Sequence, residues 1–196
     1  MSRSSHHFCI DIDNVVARTD EVMRRLVSEF SHGRVRLAYK DIVKFNYHEC
    51  CGRTGNQITK DDWNRVHDIF SISTNILSVM PMKGAVECLR LLAEKGRVHL
   101  ATSRLSKARK ATIEWLEHYQ FPKHDLHFLH HGEKHSSLRV FTAAVEDDYD
   151  QAKSFAQAGT PCFIMRHPWN EKQKKTKDLR WVENWSELAE QLLKLM

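Results

Sequence analysis

The chain has no apolar stretch approaching the roughly 20 residues that a membrane-spanning helix requires, and 28% of its residues are charged. A helical membrane span is therefore excluded. Residues 1–7 carry neither the apolar core nor the small-residue cleavage site of a secretory signal. The five cysteines, Cys9, Cys50, Cys51, Cys88 and Cys162, include no CxxC spacing. Such an odd, scattered set argues against a disulfide framework, so reduced thiols and a cytoplasmic location are expected. His118, His124, His127, His130, His131 and His135 crowd one region, but no HExxH occurs and none pairs with a CxxC, so no zinc motif stands out. Internal repeats and low-complexity tracts are absent as well. What remains is 196 residues, 41% of them hydrophobic, enough for one globular unit with room for a small appended domain.

The formal net charge of +5 suits phosphate-bearing partners. The densest basic run, residues 171–177, has no interleaved aromatics. It reads as a solvated loop, with a polyanion contact as the alternative.

Apolar runs at residues 8–12, 97–101, 126–129, 141–145 and 161–165 read as five strands. Helical periodicity lies between them, at 85–95 with Gly96 as its stop, from Ser106 through Leu116, at 150–158, and from about Ser186 onward. Strands alternating with helices imply a doubly wound, mostly parallel α/β sheet. Thr19 is placed to cap a helix carrying Val22, Leu26, Val27 and Phe30. Residues 31–80 turn irregular and polar, broken by Gly33, Gly52 and Gly55. They include one helical stretch, 61–72, with Trp63, Val66, His67 and Phe70 on one face. This region reads as a helical insert.

The first apolar run ends in Asp11 and Asp13. Alternate side chains of a strand share a face, so the two carboxylates leave the strand end close together. Like charges at the edge of a core are costly unless something offsets them. A bound divalent cation or a shared catalytic task would do so, and the plainer alternative is an Asp pair capping a turn. The strand at 97–101 ends in Thr102-Ser103-Arg104, hydroxyls that can hold a phosphate or simply cap a helix. The strand at 141–145 ends in Glu146-Asp147-Asp148, with Asp150 close behind, either metal ligands or an acidic turn. Before it, Lys134 supplies a candidate cation.

The order Asp11-Ile12-Asp13-Asn14-Val15, then Thr102-Ser103, then Lys134, then Glu146-Asp147-Asp148 resembles the four-motif signature of the haloacid dehalogenase superfamily of phosphohydrolases. Within it, the chain is similar to the 5'(3')-deoxyribonucleotidases and their bacterial nucleotidase relatives. The insert after the first motif, the Arg166-His167-Pro168-Trp169-Asn170 run and the Asn184-Trp185 pair carry that likeness. Asn14 departs from the Gly usual there in the deoxyribonucleotidases.

The resemblance implies a Rossmann-like catalytic core of residues 1–17 and 81–196 under a helical cap of residues 18–80. It implies that Asp11 is a nucleophile forming an aspartyl-phosphate and that Asp13 is the general acid and then base. Mg²⁺ would lie between Asp11, the Asp13 carbonyl and Asp147, with Glu146 or Asp148 orienting its water. Thr102 and the Ser103 backbone would hold the phosphate, and Lys134 would offset charge. Phe45, Tyr47, Trp63 and Phe70 would stack on a base or form the insert's own core. Arg104 would reach the phosphate or make a surface salt bridge. The implied activity is Mg²⁺-dependent hydrolysis of a small phosphomonoester, a (deoxy)ribonucleoside monophosphate first. A 3'-phosphatase of nucleic-acid ends, a phosphatase of another metabolite and a non-catalytic binding protein on the same fold are the alternatives. No membrane partner is expected, and the oligomeric state is open.

Overall fold

The computed structural model describes residues 6–53, 55–137 and 141–196. Six strands form one sheet in the order β3-β2-β1-β4-β5-β6, and every neighbouring pair is parallel. They are β1 (His6–Asp11), β2 (Gly96–Thr102), β3 (His124–Phe128), β4 (Ala143–Glu146), β5 (Cys162–Met165) and β6 (Leu179–Val182). The helices are α1 (Thr19–Phe30), α2 (Lys60–Phe70), α3 (Ser73–Leu77), α4 (Ala85–Lys95), α5 (Arg109–His118), α6 (Lys134–Ser137), α7 (Tyr149–Gln157) and α8 (Trp185–Leu193). No described helix is long and apolar enough to cross a membrane, and all five cysteines are free thiols.

Strand alternation sorts the core onto two faces. Phe8, Ile10, Val98, Leu100, Val145 and Phe163 pack with Leu89 of α4 and Leu188 of α8. Cys9, Ala101, Ala144, Cys162 and Ile164 pack with Phe155 of α7 on the other face. All five expected strands are present, within a few residues at their ends. β6 was not anticipated, because Leu179-Arg180-Trp181-Val182 is buried only at its two ends and so shows no strand alternation.

One local expectation needs correction. Thr19 is not a helix cap: it is the first residue of α1, its hydroxyl donates to Asp13 Oδ1 at 2.5 Å, and the capping position is held by Arg18. Gly96 ends α4 as expected, as the residue directly after Lys95. Its backbone is extended and opens β2. Glycine is needed there for close approach, since a Cβ would sit 2.7 Å from the His6 carbonyl oxygen and 2.7 Å from the Phe8 ring.

Between β1 and α4 the chain forms α1, two 3-10 turns (Tyr39–Asp41 and Tyr47–Glu49), α2 and α3. It leaves and returns through paired segments. Arg18 N donates to Met80 O and Met82 N to Val16 O, each at 2.8 Å. Two buried indoles fix the same segments from the core: Trp115 Nε1 donates to Val79 O and Trp185 Nε1 to Val15 O, each at 2.7 Å. Trp115→Phe leaves the Val79 carbonyl buried without its donor, and is expected to cost about 1–3 kcal/mol. Urea unfolding checks this, and an unchanged midpoint would show that the bond contributes nothing.

Candidate active site

The strand order reverses between β1 and β4, and in open α/β sheets the crevice at that point, beyond the strands' carboxyl ends, receives ligands. Asp11 closes β1 and Glu146 closes β4, with Ile10 opposite Val145. After β1 the chain folds back at once: Val16 N and Ala17 N both donate to Ile12 O, at 3.0 and 2.9 Å. Asn14 turns this loop with φ +59°. That left-handed region suits Gly or Asn and few other residues, which accounts for Asn at a position where Gly is the usual alternative. The turn places Asp13 on the same cleft as Asp11, Ser103, Arg104, Lys134 and Asp147.

Lys134 is 1% exposed. Its ammonium donates to Asp11 Oδ1 at 2.5 Å and to both Glu146 oxygens at 3.1 and 3.3 Å. Burial alone would depress it, but the two carboxylates outweigh that and hold its pKa above the ordinary lysine value. Asp13 has separate partners. It accepts from Arg104 Nη2 at 2.8 Å, from the Thr19 hydroxyl at 2.5 Å and from the Thr102 hydroxyl at 3.2 Å. Burial pushes the Asp13 carboxyl up, but the Arg104 guanidinium and its hydrogen bonds outweigh burial and lower its pKa. Arg104 is buried, over the Phe70 and Trp115 rings at 5.4 and 5.9 Å. The surface salt bridge considered for it is instead an interior one.

Asp147 is left with the least compensation. Asn14 Nδ2 donates to its Oδ2 at 3.3 Å, and Asn170 Nδ2 holds its backbone carbonyl at 2.8 Å. Burial first, then the Asp11, Asp148 and Glu146 charges, raise its pKa well above the usual carboxylate range. Burial likewise raises Asp11 and Glu146, with Lys134 opposing. Asp148 accepts from Asp150 N and Gln151 N at 2.8 and 3.1 Å as the N-cap of α7. Asp150 is exposed on that helix's first turn. Among the described residues the centre thus gathers five carboxylates (Asp11, Asp13, Glu146, Asp147, Asp148) and two cations (Lys134, Arg104), a formal excess of three negative charges. Carboxylate oxygens of Asp11, Glu146 and Asp147 lie within 4.8 Å of one another. Hard oxygen donors with surplus negative charge fit a divalent cation such as Mg²⁺.

The cleft above these groups has a volume of about 750 Å³. Thr102 is fully buried and does not line the cleft, its hydroxyl bonded to Asp13 and to Arg104 N, whereas the neighbouring Ser103 hydroxyl, also buried, has no hydrogen-bond partner among the described residues. The cleft wall holds aromatic rings in two states. Trp63 is 6% exposed and stacks on Tyr47 at 4.6 Å between centroids, so it is packed into the insert. Phe45 is 42% exposed and stacks on His131 at 5.7 Å.

A supporting layer was not assigned roles from the sequence. His167 Nε2 donates to the Asn14 carbonyl at 2.8 Å and its Nδ1 accepts from the Tyr39 hydroxyl at 2.7 Å. Asn170 binds the carbonyls of Asp147 and Met165, each at 2.8 Å. The Tyr47 hydroxyl donates to Asp20 Oδ1 at 2.5 Å, linking the insert's aromatic wall to the start of α1. The run 166–170 was visible as a pattern, but three of its partners, the Asn14 and Asp147 carbonyls and the Tyr39 hydroxyl, are distant in sequence, which no local pattern encodes.

Comparison with known proteins is consistent with this geometry. The family described as 5' nucleotidase, deoxy (pyrimidine), cytosolic type C protein matches residues 6–196. No curated protein sequence matches the chain. Among solved structures, a haloacid dehalogenase family hydrolase from Deinococcus radiodurans R1 with bound phosphate and sodium superposes with a TM-score of 0.65 at 12% identity, covering 99% of this chain and 97% of that one. A haloacid dehalogenase-like hydrolase from Xanthomonas campestris gives 0.61 at 15% identity, covering 99% and 97%. A hydrolase of the same class from Bacillus subtilis, YfnB bound to magnesium, gives 0.59 at 11% identity, covering 98% and 100%. At these identities the likeness is one of fold.

Burial pushes the His167 imidazole down to about 4, against about 6.5 for a free histidine. The folded state thus prefers neutral His167. Its contribution is complete above the unfolded pKa and is lost as pH falls toward the folded one, amounting to roughly 3 kcal/mol in all. Unfolding free energy is expected to drop between pH 6.5 and 4, and His167→Gln to flatten that part of the profile. Parallel profiles for the two proteins would refute the assignment.

Proposed function

The chain belongs to the 5' nucleotidase, deoxy (pyrimidine), cytosolic type C family and is a phosphoric monoester hydrolase on a haloacid dehalogenase-like fold; we propose that its substrate is a (deoxy)ribonucleoside 5'-monophosphate, cleaved through an aspartyl-phosphate on Asp11. One observation carries this reading: Asp11, held by buried Lys134, opens into a cleft of about 750 Å³, within the range of small-molecule sites. In this reading residues 1–17 and 81–196 form the catalytic core and residues 18–80 a cap over it.

Asp11 attacks phosphorus from the end of β1 while Lys134 offsets the charge shared between its carboxylate and the phosphate. Ser103, through its unsatisfied hydroxyl and its backbone N–H, holds the transferring group, and the Thr102 hydroxyl, expected to share that task, is bonded to Asp13 and Arg104 N in the free protein. Asp13 carries a proton to the leaving oxygen, then removes one from the water that releases phosphate from Asp11. Arg104 keeps Asp13 ionised in the free protein. An entering phosphate dianion competes for that guanidinium and lets Asp13 take up its proton. Asp11, the Asp13 carbonyl and Asp147 would hold Mg²⁺, with Glu146 or Asp148 positioning its water. When bound, the ion neutralises phosphate charge and favours ionised Asp11. Free thiols and the family's cytosolic description support a cytoplasmic location.

The test is phosphate release from nucleoside monophosphates, sugar phosphates and 3'-phosphorylated oligonucleotides. Turnover is expected on the monophosphates with Mg²⁺, none in excess chelator, and none in Asp11→Asn, which stays folded. Full activity in chelator, or near-normal turnover by Asp11→Asn, would remove the mechanism. Preference for oligonucleotides, with strong salt dependence, would move the substrate to nucleic-acid ends.

Phe45 and Trp63 make separable predictions. If exposed Phe45 stacks on the base, Phe45→Ala raises KM for nucleotides about tenfold, the effect of roughly 1–3 kcal/mol per stacked base. Turnover of para-nitrophenyl phosphate and the melting temperature should stay close to wild type. Trp63→Ala instead empties a packed site and should cost about 3–5 kcal/mol of stability. Equal loss of both substrates in Phe45→Ala would show that this ring does not read the base.

A further inference from the structure

We propose that His99, Asp125 and His127 form a second metal site, separate from the phosphatase centre, that binds one Zn²⁺-class ion and clips the edge strand β3 to β2. The three side chains come from adjacent parallel strands on one sheet face, with His99 opposite Asp125 in register and His127 opposite Ala101. One ligand atom from each lies within 4.8 Å of the others. None of the other crowded histidines takes part. Only His127 of that crowd joins the group, and its partner His99 lies 28 positions away in sequence.

The spacing is that of a metal ligand set. Zinc bound tetrahedrally at 2.0–2.1 Å places neighbouring ligand atoms about 3.3 Å apart. His99 Nδ1 is 3.1 Å from His127 Nε2 and 3.4 Å from Asp125 Oδ2. An ion could therefore enter with little movement of the strands. His7 on β1 is placed to set the tautomer that ligation needs. Its Nδ1 lies 3.0 Å from His99 Nε2, so it can accept the Nε2 proton and leave the His99 Nδ1 lone pair facing His127 and Asp125. An outer partner on the second ring nitrogen is the usual support of a ligating histidine. Arg97 holds the carboxylate through both oxygens, with Nε 2.5 Å from Asp125 Oδ2 and Nη2 2.9 Å from Oδ1, so Oδ2 would be shared between the guanidinium and the ion.

The side chain of His99 is 10% exposed and that of Asp125 31%, so the site is anchored inside and reached from solvent at Asp125. Two imidazoles and one carboxylate suit zinc rather than the oxygen-preferring Mg²⁺.

The test titrates the untagged full chain with Zn²⁺ in excess Mg²⁺, reading stoichiometry by calorimetry and by metal content after dialysis. Asp147→Asn serves as the background, because it removes one of the three clustered carboxylates of the phosphatase centre and so weakens zinc binding there. One equivalent is expected to persist in that background and to be lost in His99→Gln and in His127→Gln. His7→Gln should weaken binding by roughly 10–100-fold. His127 is partly exposed on the edge strand, so His127→Gln should fold even if His99→Gln does not. Absence of zinc from the Asp147→Asn background, or unchanged binding in His127→Gln, would overturn the proposal.

Discussion

Buried negative charge at the carboxyl ends of β1 and β4 is the constraint around which the rest of this molecule is arranged. Two cations and five carboxylates meet where the sheet reverses its order. Leaving a carboxylate unpaired in such a place is expensive. Each local oddity answers that cost. Lys134, fully buried, divides itself between Asp11 and Glu146. Arg104, also interior, is spent on Asp13. Asp148 spreads its charge over the N-terminal amides of α7. Asp147 receives only a weak amide donor, and the surplus that remains is what a divalent cation would neutralise.

Holding these groups at fixed distances requires rigidity in loops, which usually lack it. The supporting layer supplies it mainly with hydrogen bonds from neutral side chains, the Asp20 carboxylate under Tyr47 being balanced by Arg24. His167 ties the Asn14 turn to Tyr39, while Asn170 ties the loop after β4 to the end of β5. Tyr39 and Tyr47 belong to the segment between α1 and α2, so the same bonds connect the loops of the charged centre to the wall of the cleft. Adding charge here would have deepened the electrostatic cost, whereas imidazole, amide and phenol groups stiffen the loops without it.

Most of the centre was legible in the sequence, because all its named residues but Lys134, which opens α6, sit at strand ends and strands announce themselves by apolar runs. Asp11, Asp13, Thr102, Ser103, Lys134, Glu146 and Asp147 were all named and are brought together. What stayed hidden follows from long-range geometry. Arg104 was read as a surface or phosphate contact, since nothing local shows that Phe70 and Trp115 bury it. Thr19 looked like a cap because its position fits one, but Asp13 claims its hydroxyl. β6 lacks alternation, so period gave no signal. The aromatic residues of the insert divide into packed Trp63 and exposed Phe45, a distinction that helical spacing alone does not make.

The most direct test of the central electrostatic claim is the stability of Asp147→Asn measured with and without Mg²⁺. Without the ion, the substitution removes one like charge while Asn170 keeps its bond to the backbone carbonyl, so the variant should melt at or above the wild-type temperature. With Mg²⁺, the wild type should gain stability by mass action and the variant should gain little. A variant clearly less stable than wild type in chelator, or one stabilised by Mg²⁺ as strongly as wild type, would contradict the account.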